Sequence, residues 1–243
     1  MKPSNMMKIL MIGSIFLLAT SAIAAEGALK IAAASGKVMV MISPAAEWSD
    51  AQQGQVLSKK DGIKTAEDGV ARLEFPDTSS VTLKENTEVS VEELVWEEAA
   101  KTVGINMTAG QLKVLIKTPS DFKVKTPAAI CGARGTVFYI FIEGADTRVY
   151  VDEGSVDFTS TISGDSYVVI QGMESIASVT GEMSQPRKLT GDEKAAVLAG
   201  WETGPIAELY TEPEVSNQDN LGDMSQQEMT QENPAQENKA SRI

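Results

Sequence analysis

Two pairs of adjacent acidic residues are the side chains of this 243-residue chain that come nearest to an acid–base catalyst. Asp152-Glu153 and Glu92-Glu93 could each supply two carboxyl groups for glycoside hydrolysis. That reaction needs the two groups about 5–10 Å apart across one cleft. Neighbouring side chains of a strand point to opposite faces, so we expect both pairs to be solvated turns or edges. We therefore consider a hydrolase the least favoured of the three functional hypotheses that are compared at the end of this section.

The absence of histidine removes most other catalytic and metal-binding chemistry. The chain has no histidine and one cysteine, Cys131. Nucleophiles activated by histidine are excluded, as are metal sites built on imidazole. A single cysteine also excludes an intramolecular disulfide and a thiolate zinc cluster. We therefore expect no catalytic residue, no metal and no cofactor, and we interpret Cys131 as a small buried apolar residue.

The first 24 residues have the composition of a secretory signal peptide. Lys2 and Lys8 precede an apolar run over 9–19. Ala22-Ile23-Ala24 then provides small residues for a cleavage site. The run is shorter than the ~20 residues that span a bilayer, with an uncleaved anchor as the alternative. We expect a signal peptide over 1–24, a linker over 25–34, no membrane span after cleavage, and a periplasmic or secreted location.

The charge of the chain argues against nucleic acid as a partner. The formal net charge is −13, and loss of the two lysines of the signal segment would make it −15 (−13 − 2). Nucleic-acid binding needs a basic surface, and anionic membranes repel an acidic chain. We expect partners among proteins, uncharged surfaces or cationic ligands.

Alternating apolar and polar residues predict β-strands over most of 35–180. Ala71 and Leu73 alternate with polar residues, and Phe122 and Val124 do the same. This period of two places apolar side chains on one face of a half-buried strand. Turn dipeptides separate such runs at ~8–12-residue spacing. The pattern predicts an all-β domain over 35–180, either a compact β-sandwich or roll or a short β-solenoid.

Two further features refine this prediction. The run over 137–142 is continuously apolar, which is typical of a central strand covered on both faces. Gly36, Gly110 and Gly154 each stand before a polar and then an apolar residue, without a fixed period. We interpret these glycines as similar starts of strands rather than as a repeat.

The sequence changes character after the β region. Thr190 and Glu193 form a capping-box pattern at the start of a helix. Three apolar residues then recur at helical spacing: Val197, Leu198 and Trp201. We predict an extension over 181–204 whose short amphipathic helix docks on the β domain. Residues 205–243 are too polar to bury a core and predict a disordered acidic tail, with folding onto a partner as the alternative.

The segment 122–138 combines a strand end, a proline turn and a second strand. The first strand runs to Thr126, and Pro127 lacks an N–H donor and so ends regular pairing. Small residues follow, and Arg134-Gly135-Thr136 then leads into the central strand. Gly135 permits a bulge or a close approach of backbones.

This segment resembles the hallmark of the FecR domain, a Thr-Pro-x-Ala stretch followed by Arg-Gly-Thr-x-Phe. The matching motif positions are Thr126, Pro127, Ala128, Arg134, Gly135, Thr136 and Phe138. Flanking runs, such as Asp61-Gly62-Ile63-Lys64-Thr65, are also similar to the family, and the resemblance covers about 54–158. It implies the family's fold and a binding or scaffolding role outside the cytoplasm.

The motif residues have two competing interpretations. Arg134 could hold a carboxylate of a partner, or its guanidinium could bind strand-end carbonyls and a neighbouring carboxylate such as Asp77. The flanking residues have the pattern of a core. We therefore favour a structural role for Arg134, and likewise for Thr126, Gly135 and Thr136.

Three functional hypotheses follow. The first is an exported, non-enzymatic FecR-like module that interacts with an envelope protein, as a sensor or a scaffold. The second is a module that binds cell-wall polymer or carbohydrate, with stacking faces from Trp48, Trp96, Tyr150 and Tyr167. The third is the hydrolase. Acidic composition and the missing catalytic groups favour the first.

Overall fold

The computed structural model describes residues 29–97 and 100–202. The strands are, in chain order, β1 (Leu29–Ser35), β2 (Val38–Met41), β3 (Ser49–Asp50), β4 (Val56–Leu57), β5 (Gly62–Thr65), β6 (Val70–Glu74), β7 (Ser80–Leu83), β8 (Glu88–Trp96), β9 (Lys101–Ala109), β10 (Gln111–Leu115), β11 (Asp121–Lys125), β12 (Ala129–Ala133), β13 (Val137–Glu143), β14 (Asp146–Glu153), β15 (Ser155–Ser160), β16 (Ser166–Ile170), β17 (Met173–Ala177) and β18 (Arg187–Lys188). Helix α1 (Gly191–Glu202) follows them. The predicted all-β fold with a short C-terminal helix is confirmed.

Two predicted segments lie outside the described residues: the signal peptide over 1–24 and the acidic tail over 205–243. Among the residues that the structure does describe, no helix has the length and apolar character needed to cross a membrane.

The strands form two nine-stranded sheets. Sheet A has the order β18-β17-β14-β13-β10-β7-β6-β1-β4, and sheet B has the order β16-β15-β12-β11-β9-β8-β5-β2-β3. Within the described residues, neighbouring strands are antiparallel except for the parallel pair β9 and β11. The chain travels from β9 to β11 through β10 of the other sheet, and this crossover allows the parallel pairing.

One apolar core fills the space between the sheets, and both sheets contribute to it. In β11, Phe122 and Val124 are buried and Lys123 and Lys125 are exposed, as the alternation predicted. Removal of apolar surface from water stabilises the fold by roughly 25 cal/mol per Å². A register shift of one residue would expose the apolar side chains of a strand to solvent. The alternation therefore determines which face of each strand points towards the core.

β13 is covered on both faces, as its continuous apolar run predicted. Phe138 and Ile140 belong to the core between the sheets, whereas Tyr139 and Phe141 belong to a second cluster beneath α1. Trp201 of α1 is 2% exposed, and its ring centroid is 5.4 Å from that of Tyr139. The predicted docking of the helix on the β domain is therefore present.

The start of α1 has the predicted capping box. The Thr190 amide donates a hydrogen bond to the Glu193 carboxylate at 2.8 Å. In return, the Glu193 amide donates to the Thr190 hydroxyl at 3.3 Å. Each side chain thus satisfies a backbone N–H that the first helical turn leaves without an intrahelical acceptor.

The linker predicted over 25–34 was wrong for residues 29–34, which form most of β1. Leu29 and Ile31 are both fully buried, and β1 pairs with β6 and β4 in sheet A. The three alanines that follow Ile31 give little contrast between the two faces of the strand, so the alternation was hard to detect.

The three glycines that stood out in the sequence mark places where the chain crosses between the sheets. Gly36 joins β1 to β2, Gly110 joins β9 to β10, and Gly154 joins β14 to β15, each with φ between +67° and +92°. A Cβ atom would lie 2.0 Å from the Asp68 backbone oxygen at Gly36, and 2.8 Å from the Thr136 γ-methyl at Gly154. Both the left-handed conformation and the close approach require glycine.

Candidate functional site

The proline turn of the motif joins β11 to β12 and is built around the Thr126 side chain, which is 2% exposed. The Thr126 hydroxyl donates to the Ala129 carbonyl oxygen at 3.0 Å and accepts from the Ala129 amide at 3.0 Å. Pro127 is exposed and Ala128 is buried. The side chain thus closes the turn that proline begins.

A hydrogen bond links this turn to the opposite sheet. Oγ1 of Thr126 in the turn is 2.7 Å from Oγ1 of Thr147 in β14, and both residues are buried. Either hydroxyl can be the donor in this contact. Thr126 therefore holds sheet B against sheet A, a structural role.

The second half of the motif forms the passage from β12 into β13. Gly135 is exposed with φ +61°, and Thr136 is 1% exposed. The Thr136 carbonyl oxygen accepts from the Ile116 amide at 2.9 Å, and its γ-methyl is the group that faces Gly154. Phe138 is fully buried in the core. These positions serve the packing of the domain.

The expected contact between Arg134 and Asp77 was wrong. Asp77 instead accepts hydrogen bonds from the Thr118 hydroxyl and from the Ser79 amide and hydroxyl, with Lys101 Nζ 4.0 Å away. Burial would raise the pKa of Asp77, but these hydrogen bonds and the lysine charge together hold it below its ordinary value. Arg134 is exposed and has no hydrogen bond or ion pair within the described residues.

Arg134 borders a groove of about 450 Å³ on the outer face of sheet B. Gly132 of β12 lies between Lys123 of β11 and Asp157 of β15, its partners in register. Because Gly132 carries no side chain, the surface is depressed there, and Ile130 supplies an apolar wall. The alternation of β11 placed Lys123 on this face, but the sequence did not show that Gly132 would lie beside it.

Two cations of this outer face lack an acidic partner. Lys123 forms an ion pair with Asp121 at 3.1 Å. Lys125 and Arg134 have no ion pair within the part of the chain that the structure describes. On a chain with a net charge of −13, they are available to an acidic group from outside.

The aromatic residues considered for carbohydrate stacking do not form a common platform. Trp96 stacks on Phe75 with ring centroids 4.9 Å apart, and Trp48 has a lysine ammonium 4.1 Å from its ring centroid. Tyr150 is fully buried beneath α1, and Tyr167 is half-buried in β16. Rings of the protein itself stack on Trp96 and Tyr150, and a lysine ammonium lies over Trp48.

The acidic pairs have separate surroundings. Asp152 forms an ion pair with Lys194, whose Nζ is 2.8 Å from the Asp152 Oδ1. Glu153 is exposed. Glu92 and Glu93 are both exposed in β8. Across residues 29–97 and 100–202, no group of three or more cysteine, aspartate or glutamate side chains is placed to hold a metal ion.

The fold and the motif define an all-β domain of two packed sheets, with Arg134 at its surface. Within it, residues 61–157 match the family described as FecR protein, which confirms the resemblance predicted over 54–158. The similarity to this family is therefore shown for this span of the β domain.

Other comparisons concern the fold. No curated protein matches the chain. Two solved structures of a candidate anti-sigma factor from Parabacteroides distasonis are similar to it. The first is 18% identical with a TM-score of 0.46, over 57% of this chain and 65% of that chain. The second is 19% identical with a TM-score of 0.47, over 57% and 64%. This chain therefore spans slightly less than two thirds of those proteins.

Proposed function

We propose that the chain is exported and acts without catalysis as a protein-interaction module, a sensor or scaffold at the cell envelope. The similarity to the FecR family over 61–157 supports a role of this class, and the signal-like pattern over 1–24 supports a periplasmic or secreted location. The observation that carries the proposal is the position of Arg134. Thr126, Thr136 and Phe138 are used inside the fold, whereas the Arg134 side chain is exposed beside a groove.

The groove suggests the chemistry of the partner. Arg134 lines this groove, and Lys125 lines a neighbouring groove that shares Lys123 and Ile130 with it. Both cations can bind a carboxylate, and a guanidinium does so with two parallel hydrogen bonds. Ile130 offers a small apolar contact to both grooves. We infer an acidic segment of an envelope protein, bound across β11 and β12.

The test is capture of the partner from intact cells. The tagged full chain is expressed in its own host, the envelope is crosslinked, and captured proteins are identified by mass spectrometry. We expect one or two specific envelope proteins, with yield at least about tenfold lower for Arg134→Ala, since arginine is often a dominant interface residue. Lys59→Ala is the matched control, because Lys59 is exposed and lies outside the groove.

Two results would overturn this function. Equal capture by Arg134→Ala and the wild type would remove Arg134 from the interface. An abundant, folded protein that captures nothing would disfavour a protein partner, and binding of soluble glycans would then be measured for the carbohydrate alternative. Sequencing the N terminus of the envelope-associated protein checks export, and we expect it to begin at Ala25.

A further inference from the structure

One glycine of sheet B is not required by the fold. Three glycines lie within the described strands, namely Gly62, Gly104 and Gly132. A Cβ atom would lie 3.1 Å from the Trp48 ring at Gly62 and 3.2 Å from the Glu93 Cβ at Gly104. At Gly132 it would meet nothing closer than 3.8 Å, which is an ordinary contact distance. The φ angle of Gly132 is not positive either, so an alanine would fit there without strain.

This glycine keeps a notch open on the outer face of sheet B. A glycine inside a strand weakens that strand, because it loses more conformational freedom on folding and has no side chain to pack. Neither crowding nor backbone conformation compensates for this loss at Gly132. A strand glycine of this kind is typical of a place where another group approaches the backbone closely. We call this place the Gly132 notch.

Side chains of opposite charge stand on the two sides of the Gly132 notch. Lys123 of β11 and Asp157 of β15 are both register partners of Gly132, so their Cα atoms are two strand spacings apart, about 10 Å. Both side chains are exposed and line the groove of about 450 Å³. Lys123 also pairs with Asp121, whereas Asp157 has no hydrogen bond or ion pair within the described residues. A group that enters the notch therefore meets a donor on one side and an acceptor on the other.

A carboxamide is the group that matches both sides of the Gly132 notch. Its oxygen accepts a hydrogen bond from the Lys123 ammonium, and its NH₂ group donates to the Asp157 carboxylate. A carboxylate would be repelled by Asp157, and an ammonium group would be repelled by Lys123. The notch therefore favours the side chain of an asparagine or a glutamine.

Cations without a partner lie at the two ends of the notch. Arg134 follows β12, and Lys125 is the register partner of Ile130 in β12. Four residues of β12 thus separate the two levels, which is about 14 Å at ~3.4 Å per residue. In an extended peptide, residues four apart have this same spacing, and their side chains point to the same side as that of the residue midway between them. A helix would need about nine residues to cover the distance.

We propose that the groove binds an extended segment of the partner with the pattern acidic–x–amide–x–acidic. The two acidic side chains bind Arg134 and Lys125, and the central asparagine or glutamine enters the Gly132 notch between Lys123 and Asp157. The inference rests on the proposed function, because it specifies the acidic segment bound across β11 and β12. Spacing, the opposed donor and acceptor, and the open glycine position together define this occupant.

Binding of short peptides to the full chain tests the pattern. The probe is a capped, fluorescently labelled peptide of sequence Glu-Thr-Asn-Thr-Glu, and fluorescence anisotropy at low salt measures its affinity. One control, Glu-Thr-Ala-Thr-Glu, lacks the amide. The other, Thr-Glu-Asn-Glu-Thr, has the same composition but places the acids two residues apart. We expect the probe to bind at least about fivefold more tightly than either control, because each control loses a hydrogen bond to a charged group.

Gly132→Val fills the notch without changing a charged residue. We expect it to weaken binding of the probe by at least about tenfold, because its side chain takes the place of the amide. The melting temperature should not fall, since valine favours strands and a Cβ atom fits at this position. Gly132→Ala is the smaller change and should weaken binding in the same direction. Gly191→Ala is the matched control, because Gly191 also has room for a Cβ atom and lies outside both grooves.

Asp157→Ala separates the amide contact from the spacing of the acids. This variant should lose the preference for asparagine over alanine at the centre of the peptide. It should keep the preference for acids four residues apart, since Arg134 and Lys125 are unchanged. Loss of both preferences, or of neither, would contradict the assigned contacts.

Three other results would overturn the pattern: equal affinity for the three peptides, no binding of the probe up to about 1 mM, and unchanged affinity in both Gly132 variants. Binding of an N-acetylated oligosaccharide in place of the peptide would overturn it as well. None of these results depends on the capture of an envelope protein through Arg134. Failure of the pattern can therefore be distinguished from failure of the proposed function, which is decided by Arg134→Ala.

Discussion

Gly154 and Thr136 pack so closely that the side chains allowed at both positions are limited by contacts within the domain. Gly154 has φ +81°, and a Cβ atom there would meet the Thr136 γ-methyl at 2.8 Å. We expect Gly154→Ala to lower the free energy of unfolding by about 2–4 kcal/mol, from backbone strain and steric overlap together. Chemical denaturation of the purified protein measures this.

A matched glycine separates the two contributions. Gly144 also has a positive φ, +68°, but a Cβ atom there would have no neighbour within 4 Å. Gly144→Ala should therefore cost only the backbone strain, about 1 kcal/mol. If both variants lose the same stability, the packing of Gly154 on Thr136 has no energetic role.

Burial of single residues could be predicted from sequence better than their contacts. Cys131 lies among small and apolar neighbours, and its predicted burial is confirmed. The predicted contact of Arg134 with Asp77 was wrong, because the distance between two side chains on different strands is not encoded in any local pattern. The seven motif positions remain a prediction from the sequence, which gave no sign that Thr126 would lie within hydrogen-bond distance of Thr147.

At the scale of elements, the attachment of α1 depends on a surface ion network. Glu193 accepts hydrogen bonds from Arg187 and from the Thr190 amide and hydroxyl. Arg187 first, and then Thr190, lower the pKa of Glu193 to about 2 from 4.5. A lowered carboxyl pKa contributes stability above pH 4.5, and this contribution is lost as the pH falls towards 2.

Acid should therefore loosen α1 through Glu193. We expect the stability difference between the wild type and Glu193→Gln to be present at pH 6 and to vanish near pH 2. Denaturant unfolding at each pH, followed by tryptophan fluorescence, measures the difference. Asp192→Asn is the control, as Asp192 is exposed in the same helical turn. A difference that stays constant with pH would contradict the role of Glu193.

The elements themselves were predictable where local chemistry determines them. The capping box predicted the start of α1, and alternation predicted β6 and β11. β1 was missed because alanine fits either face of a strand. No sequence pattern showed that β16 would lie at an edge, because position in a sheet depends on which strands come together from distant parts of the chain.

At the scale of the whole molecule, Cys131 reports on opening of the core. It is fully buried in β12, and burial raises the pKa of its thiol. We expect alkylation of the native protein to be at least about 1,000-fold slower than alkylation in denaturant, because labelling requires the sheets to separate. Ser49→Cys adds a thiol on the exposed strand β3 and should label quickly. Fast labelling of the native wild type would reveal local opening of β12.

The order of strands in both sheets has a consequence for how the protein is made. From one end of each sheet to the other, strand numbers rise almost without interruption. A chain that is synthesised from its N terminus can therefore add each new strand to the edge of a sheet that has already formed. Growth from one side keeps the unfinished surface small throughout synthesis, and it protects the nascent chain from aggregation before its last strands emerge.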